Sequence, residues 1–363
     1  MNKIQTKSLF RATLIVFAIG IFLFAFNRCG GDTPPDDVVE DAISAVEIMA
    51  PANNEMFTLG DQVEVELKVN DAAEATKMKL YVSDILVSDN ISADQTKFTF
   101  DTKDLPVGNL LLKLAYTSST GEELSKEQKI TFFSDIVPER KKVNIVKQLP
   151  HDPTSYTQGL EFYQGALYES TGQYGTSYVA EVDPETGEII RKKDLSSEYF
   201  GEGLTIFDSA IYQLTWQARK CFKYDLDFNL LGEASFSGQG WGLTHDDTHL
   251  IMSNGSDKVF WRDPESFEVT RELYVFDDQS SATQINELEL IGGKLYANLY
   301  TSNEIIEIDT SNGKILSHID CSEIVNAQMA GVDYFNGIAY DETTDQIYVT
   351  GKLYPYKYIV TFE

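Results

Sequence analysis

Chemically useful side chains recur at equivalent places in the second half of this chain. A short phrase occurs five times, and its copies begin at Gln158, Glu202, Trp241, Asn286 and Asn336, roughly 39 to 50 residues apart. If the copies are arranged around one axis, these first residues form a ring, which we call the first ring. That ring carries one carboxylate, one indole and several carboxamides.

A second ring follows from the same alignment. Each copy has an apolar pair about nine residues after its start (eleven in the last copy), and five residues beyond the start of that pair lie Gly172, Trp216, Gly255, Tyr300 and Lys352. Two of these positions lack a side chain, two are aromatic and one is cationic. A structural repeat does not require this variety. An apolar wall with one carboxylate and one ammonium is the composition of a small-molecule pocket.

Short strands must position these side chains. The spacing of the copies predicts one four-stranded sheet per copy and a five-bladed β-propeller over residues 143–363. The last copy has room for only three strands before the chain ends. The segment VNIVKQL, residues 143–149, precedes the first copy, and we expect it to complete the last blade and close the ring.

The preceding region predicts a second all-β domain. Residues 45–135 contain several short runs of alternating apolar residues separated by turn signals, which favours an immunoglobulin-like β-sandwich. No group of residues in it indicates chemistry, so we expect a spacer, with a docking module as the alternative. Residues 134–142 are expected to form the linker.

The N-terminus predicts export to the cell envelope. Residues 1–29 combine basic residues, an apolar run of about 15 residues and Cys29, as in a bacterial lipoprotein signal, and residues 30–44 form a polar tether. We expect lipidation of Cys29 and a membrane-anchored protein facing the periplasm or the cell exterior. An uncleaved signal anchor is the alternative. Cys221 and Cys321 are expected to be buried free thiols, although a disulfide between them stays open.

The composition of the chain limits the classes of partner that it can bind. The 363 residues carry a net charge of −28, which argues against a nucleic-acid partner. A hydrophobic content of 42% indicates a folded chain. Glu287 and Glu289 flank Asn286 and could bind a cation, but exposure to solvent is the interpretation that we favour.

The chain contains eight ordered motifs, which are TQGLEF, YESTGQYG, FGEGLT, YQLTW, GWGLT, NELE, YAN and VTGK. Together they resemble the plant-type and bacterial glutamine cyclotransferases, or glutaminyl-peptide cyclotransferases. The resemblance covers about residues 143–363 and leaves out the immunoglobulin-like region. It implies a five-bladed propeller, in agreement with the number of copies of the repeat.

The resemblance also implies roles for individual residues. Glu202 corresponds to the proposed general acid–base, and the pocket is completed by Gln158, Phe200, Trp216, Trp241, Asn286 and Lys352. We expect Asn286 and Lys352 to be catalytic as well, by stabilising the tetrahedral oxyanion. Two positions depart from the family pattern. Tyr156 stands where relatives commonly have Phe, and Tyr300 stands where the YAN motif of relatives is usually followed by one residue and then Trp. Both keep an aromatic wall and add a hydroxyl group.

The implied reaction is an acyl transfer that converts the N-terminal glutamine of a peptide or protein to pyroglutamate and releases ammonia. It requires no redox cofactor or catalytic metal, and it leaves room for a structural calcium near the axis. The alternative is a non-catalytic propeller that binds peptides or other ligands at the cell envelope. A metal-dependent lactonase-type propeller is disfavoured because the first ring offers too few carboxylates.

Overall fold

The computed structural model describes residues 44–363. The predicted signal segment, Cys29 and all but the last residue of the tether lie outside the described residues, so those expectations stay predictions. Within residues 44–363, no helix is long and apolar enough to cross a bilayer. The described chain is almost entirely β-structure, with a single short helix in its last third.

Eight strands form the first domain. They are β1 (Val46–Ala50), β2 (Glu55–Thr58), β3 (Gln62–Val69), β4 (Thr76–Val82), β5 (Ile85–Ile91), β6 (Lys97–Asp101), β7 (Gly108–Thr117) and β8 (Glu123–Phe133). One sheet has the order β1-β3-β6 and the other β2-β8-β7-β4-β5. Alternate residues such as Val63, Leu80 and Leu112 are fully buried between them, which is the packing of a β-sandwich.

A long strand, β9 (Glu139–Pro150), leads into the repeat region. Three antiparallel four-stranded sheets follow in chain order. The first contains β10 (Thr157–Tyr163), β11 (Ala166–Thr171), β12 (Tyr178–Val182) and β13 (Ile189–Asp194). The second contains β14 (Gly201–Phe207), β15 (Ala210–Thr215), β16 (Lys220–Asp225) and β17 (Leu230–Ser235). The third contains β18 (Leu243–His245), β19 (Leu250–Ser253), β20 (Lys258–Arg262) and β21 (Val269–Tyr274).

The remaining strands join a single eight-stranded sheet. They are β22 (Ile285–Ile291), β23 (Lys294–Leu299), β24 (Glu304–Asp309), β25 (Ile315–Asp320), β26 (Phe335–Asp341), β27 (Gln346–Gly351) and β28 (Tyr356–Phe362), and helix α1 (Ser322–Asn326) lies between β25 and β26. The sheet order is β22-β23-β24-β25-β9-β28-β27-β26. It therefore unites the fourth and fifth copies of the repeat.

Strand β9 is the element that joins these two copies. Residues 143–150 pair antiparallel with β28, which confirms the expected pairing with the last copy. Residues 139–142 pair in parallel with β25, although the sequence predicted a linker there. The linker prediction was wrong for these residues because their partners in β25 lie 178 residues further along the chain and leave no local signal.

The first strands of the five copies contact one another in a closed order. Strand β10 contacts β14, β14 contacts β18, β18 contacts β22, β22 contacts β26, and β26 contacts β10. These inner strands are buried on both faces, whereas the fourth strands β13 and β17 are largely exposed. In these two sheets, burial therefore decreases from the first to the fourth strand.

The sandwich domain packs directly on the repeat region. Phe276, which follows β21, belongs to the apolar core of the sandwich, and its ring lies 5.8 Å from that of Phe133. The Ser134 amide donates to the Asp277 carbonyl at 3.0 Å, and Lys314 pairs with Asp135 at 2.6 Å. The junction thus combines apolar burial, a backbone hydrogen bond and an ion pair.

Shortening the chain should separate the contributions of the sandwich and of β9. A chain that begins at residue 136 should fold but unfold at a lower temperature than residues 44–363, because Phe276 becomes exposed. A chain that begins at residue 151 loses β9, in which Val143 and Leu149 are buried. Because each buried aliphatic side chain contributes about 1.5–3 kcal/mol, its free energy of unfolding should be lower than that of the chain beginning at residue 136 by at least about 3 kcal/mol. Thermal and urea unfolding measure both steps, and equal stability of the two shortened chains would contradict the closing role of β9.

Candidate active site

The strand pairing brings the two predicted rings to the same end of the sheets. First-ring residues lie at or just before the start of each inner strand, and second-ring residues follow the end of each second strand. Because these strands are antiparallel, the start of one faces the end of the other, as in the pair Gly201 and Thr215. Glu202 follows Gly201 and Trp216 follows Thr215, so the two side chains lie at the same end of this sheet.

A cavity of about 210 Å³ occupies this end, and all nine residues predicted for the site line it. They are Tyr156, Gln158, Phe200, Glu202, Trp216, Trp241, Asn286, Tyr300 and Lys352. Their roles in catalysis or binding stay predictions. Asn336, the remaining member of the first ring, does not line the cavity: its amide donates to the Thr157 carbonyl at 3.1 Å and holds the strand that carries Gln158.

The two glycines of the second ring make room for aromatic rings. A Cβ atom on Gly172 would overlap the ring of Phe200, and one on Gly255 would lie 2.6 Å from the ring of Trp241. Since both rings line the cavity, the missing side chains are replaced by rings from neighbouring segments. The cavity wall is therefore continuous.

Glu202 and Lys352 are the two charged groups of the cavity. They are only 5% and 3% exposed, and neither side chain has a hydrogen-bond partner among residues 44–363. Burial raises the pKa of Glu202 well above its usual value, and the ammonium of Lys352 opposes that shift. Burial lowers the pKa of Lys352, and the charges of Glu202 and Asp333 oppose that shift. The two pKa values thus lie closer together than in water, which suits proton transfer near neutral pH.

Lys352 is held by aromatic faces instead of by a carboxylate. Its Nζ atom lies 5.0 Å from the ring centre of Tyr156 and 5.1 Å from that of Tyr300. Cation–π attraction of this kind stabilises a desolvated ammonium. The Nζ–H groups consequently remain free to donate to a ligand in the cavity.

Asn286 presents a free amide to the same space. It is 3% exposed, and its Oδ1 atom has no hydrogen-bond partner among the described residues. Its position is fixed through the backbone, since its carbonyl accepts a hydrogen bond of 2.6 Å from the Ser253 hydroxyl. A buried amide without a partner is costly, so a ligand that pairs with it would be stabilised.

Two residues that shape the site were missed by the sequence analysis. Gln239 accepts hydrogen bonds from the indole N–H groups of Trp216 (2.8 Å) and Trp241 (2.9 Å), and it thereby fixes both rings. Asp333 accepts a hydrogen bond of 2.8 Å from the hydroxyl of Tyr156. Gln239 stands two residues before Trp241 and could have been proposed as its partner, whereas Asp333 lies 177 residues from Tyr156 and gave no signal.

A larger cavity of about 790 Å³ lies at the opposite end of the inner strands. Several of its acidic residues cap their own turns: Asp246 accepts hydrogen bonds from the amides of Thr248 and His249, and Asp341 accepts one from Thr343. We assign the candidate site to the smaller cavity because it combines a buried carboxyl group, Glu202, with a buried ammonium, Lys352. Within residues 44–363, no group of three or more His, Cys, Asp or Glu side chains has an arrangement suited to a metal ion.

The glutamates beside Asn286 are buried, and the expectation of solvent exposure was wrong. Glu287 is 0% exposed and accepts hydrogen bonds from the amides of Leu160 (3.3 Å) and Ile338 (2.8 Å). Glu289 is 6% exposed and accepts one from Tyr340 at 3.0 Å. Burial raises the pKa of both carboxyl groups well above the usual range. They connect inner strands instead of facing solvent, because an inner strand has no exposed face.

A buried polar network supports the segment that carries Lys352. His151 donates from Nδ1 to the Tyr354 carbonyl at 2.7 Å, and its Nε2 atom lies 3.1 Å from Oε1 of Glu169. The hydroxyl of Thr157 also donates to Glu169, at 2.7 Å. Burial alone would lower the pKa of His151, but the charge and hydrogen bond of Glu169 and the Tyr354 carbonyl raise it above its usual value. His151 and Glu169 thus connect the start of β10 to the turn after Lys352.

Both cysteines of the described region are buried and free. Cys221 and Cys321 form no disulfide, in agreement with the expectation from the sequence. Burial raises the pKa of both thiols, which keeps them protonated and unreactive.

The comparisons with known proteins match two families along the chain. The family described as Glutamine cyclotransferase matches residues 111–362, and the family described as Bacterial Ig domain matches residues 45–113. An Arabidopsis thaliana protein named glutaminyl-peptide cyclotransferase is 36% identical over 226 residues, which are 60% of this chain and 70% of that protein. The crystal structure of Myxococcus xanthus glutaminyl cyclase is similar with a TM-score of 0.59 and 30% identity, over 62% of this chain and 98% of that one.

The close packing at Gly172 can be tested by adding one methyl group. Gly172→Ala should lower the free energy of unfolding by about 1–3 kcal/mol, the usual cost of overpacking, because its Cβ atom overlaps the Phe200 ring. Gly232→Ala is the matched control, since nothing lies within 4 Å of a Cβ atom there. Urea unfolding measures both, and a Gly172→Ala variant as stable as the control would show that Phe200 does not depend on this space.

The raised pKa of His151 predicts a pH-dependent contribution to stability. That contribution is fully present below the unfolded-state pKa near 6.5 and is lost as pH rises through the higher folded-state pKa. His151→Gln should therefore lower the free energy of unfolding more at about pH 6 than at about pH 9. The pKa of Lys357 is lowered to about 8, so its contribution to stability has the opposite pH dependence. Lys357 is present in both the wild type and the His151→Gln variant. An equal loss at the two pH values in urea unfolding would contradict a charged His151.

Proposed function

Since this chain belongs to the glutamine cyclotransferase family, we propose that it is a glutaminyl-peptide cyclotransferase. It converts the N-terminal glutamine of peptides to pyroglutamate and releases ammonia. The observation that carries the proposal is the cavity in which the buried carboxyl group of Glu202 stands near the ammonium of Lys352 without a hydrogen-bond partner. A protein that only binds a ligand does not need a buried carboxyl group near a buried ammonium.

The repeat region is proposed to be a five-bladed β-propeller. The closed order of contacts among β10, β14, β18, β22 and β26 supports five sheets around one axis. The eight-stranded sheet then corresponds to the fourth and fifth blades, joined by β9. This arrangement would put the first ring around the axis and leave no open edge between the first and last blades.

The reaction begins with the nucleophile of the substrate itself. The α-amine attacks the side-chain carbonyl carbon of the same glutamine, so that a C–N bond forms and closes a five-membered ring. The cavity wall would hold the side chain folded back on the amine, which is the proximity contribution to catalysis. The charge of Lys352 disfavours a second ammonium nearby and would therefore keep the attacking amine neutral.

Glu202 would carry the proton between the two nitrogen atoms. Its carboxylate accepts a proton from the attacking amine, and the resulting carboxylic acid donates that proton to the departing amide nitrogen. The C–N bond of the side-chain amide then breaks and ammonia leaves. A pKa raised by burial and held back by Lys352 suits a group that must both accept and donate near neutral pH.

Lys352 and Asn286 would stabilise the tetrahedral intermediate. Negative charge develops on the carbonyl oxygen when the amine adds, and both side chains line the cavity and carry N–H groups that would donate to this oxygen. Donors that are fixed before the reaction are more effective than water, since they need no reorientation. No metal or redox cofactor takes part in these steps.

Replacing Glu202 by Gln tests the proposal directly. The variant keeps the shape of the side chain but cannot accept a proton, so kcat for ammonia release from a Gln-initiated peptide should fall at least about 100-fold. KM should change little, because the cavity keeps its walls. Glu289→Gln is the matched control: this glutamate is also buried with a raised pKa and lies on an inner strand, but it does not line the cavity.

The same experiment separates the proposed enzyme from a binding propeller. A wild-type protein that binds the peptide and releases no ammonia would support the non-catalytic alternative. Wild-type turnover by Glu202→Gln, measured with the control in the same assay, would show that Glu202 is structural and that it does not carry the proton between the two nitrogen atoms.

A further inference from the structure

The cavity is too small for more than the reacting residue of a peptide. It measures about 210 Å³, and its polar groups Glu202, Asn286 and Lys352 are nearly fully buried. On the proposed function, the glutamine side chain and α-amine occupy this space. The rest of the peptide must then leave through the open side and cross the rim of the cavity.

Exposed tyrosine rings stand at this rim. Three aromatic side chains are exposed among residues 44–363, namely Tyr174 (53%), Tyr334 (41%) and Tyr356 (39%). Tyr174 packs edge-to-face on Phe200 with ring centres 5.4 Å apart, and Tyr334 packs in the same way on Tyr300 at 5.0 Å. Both supporting rings line the cavity, so two of the three exposed aromatic side chains extend its wall outward.

We propose that Tyr174 and Tyr334 form a subsite for the second residue of the peptide and favour an aromatic or large apolar side chain there. This proposal rests on the proposed function. Each ring offers apolar surface next to the cavity mouth, and an aromatic partner gains about 0.5–1.5 kcal/mol beyond the burial of its area. Neither ring belongs to the set of nine residues that line the cavity itself.

The local backbone holds both rings in place. Tyr174 lies between Gln173 and Gly175, whose φ angles of 87° and 82° form the tight turn that projects it. Tyr334 is tied to the cavity because its carbonyl accepts a hydrogen bond of 2.9 Å from the amide of Lys352. The subsite would therefore exist before the peptide binds, which reduces the entropy lost on binding.

The charge at the rim indicates which residues the subsite rejects. The carboxylate of Asp333 accepts hydrogen bonds from the Tyr156 hydroxyl and from the Tyr334 amide, at 2.8 and 2.9 Å. Asp333 therefore places a carboxylate beside Tyr334. An acidic second residue would meet like charge there, and we expect it to be the poorest substrate.

Three dipeptide amides, Gln-Phe, Gln-Ala and Gln-Glu, test the subsite with the full-length protein. The wild type should release ammonia from Gln-Phe with a kcat/KM about 3- to 10-fold higher than from Gln-Ala, mainly through KM, and from Gln-Glu with the lowest value. The double variant Tyr174→Ala, Tyr334→Ala should lose the preference, so that its kcat/KM values for Gln-Phe and Gln-Ala become equal. Tyr174→Phe with Tyr334→Phe should keep the preference, because the rings provide the contact.

Tyr356→Ala is the matched control, since Tyr356 is an exposed tyrosine that does not pack on a cavity ring. It should retain the wild-type order of the three substrates. A wild type without preference for Gln-Phe, or a double alanine variant that keeps it, overturns the subsite and leaves the proposed function standing. A wild type that releases no ammonia from any of the three overturns the proposed function, and the subsite with it.

Discussion

The close approach of the inner strands is the constraint on which the rest of the structure depends. A Cβ atom on Gly159 would lie 2.5 Å from the amide nitrogen of Leu204, and one on Gly203 would lie 2.5 Å from that of Leu243. Glycine after the first-ring residue therefore lets neighbouring backbones meet. The fourth copy has Glu287 at this position, and its carboxylate bonds the backbones of the first and fifth copies instead. Neighbouring first-ring residues consequently stand close enough to share one small cavity.

The same closeness produces the electrostatics of the site. Inner strands that meet backbone to backbone leave little room for water, so Glu202 and Lys352 are desolvated and their pKa values approach each other. Desolvation of both groups costs stability, and the aromatic faces of Tyr156 and Tyr300 offset part of that cost for Lys352. Strained or unpaired groups of this kind are expected where a protein acts on a ligand.

The sequence predicted the features that follow from the equivalence of the repeats, and it missed contacts between segments that differ from copy to copy. The all-β class, the pairing of residues 143–149 and the residues that line the cavity follow from equivalence between copies and from the family resemblance. Gln239 and Asp333 occur once each and contact their partners through loops that differ between copies. Glu287 looked like an exposed carboxylate because alternation along a strand suggests one wet face, but inner strands are buried on both. Residues 139–142 looked like a linker because parallel pairing with a distant strand leaves no local pattern.

The hydroxyl of Tyr156 joins the cavity to its rim. This hydroxyl donates a hydrogen bond to the carboxylate of Asp333 at 2.8 Å. The amide of Asp333 in turn donates to the Lys352 carbonyl at 3.0 Å, and the Lys352 amide donates to the Tyr334 carbonyl at 2.9 Å. The backbone of Lys352 is therefore held from both sides by the segment that carries Tyr334. The segment that carries Tyr334 at the rim of the cavity is therefore also the segment that positions the backbone of Lys352.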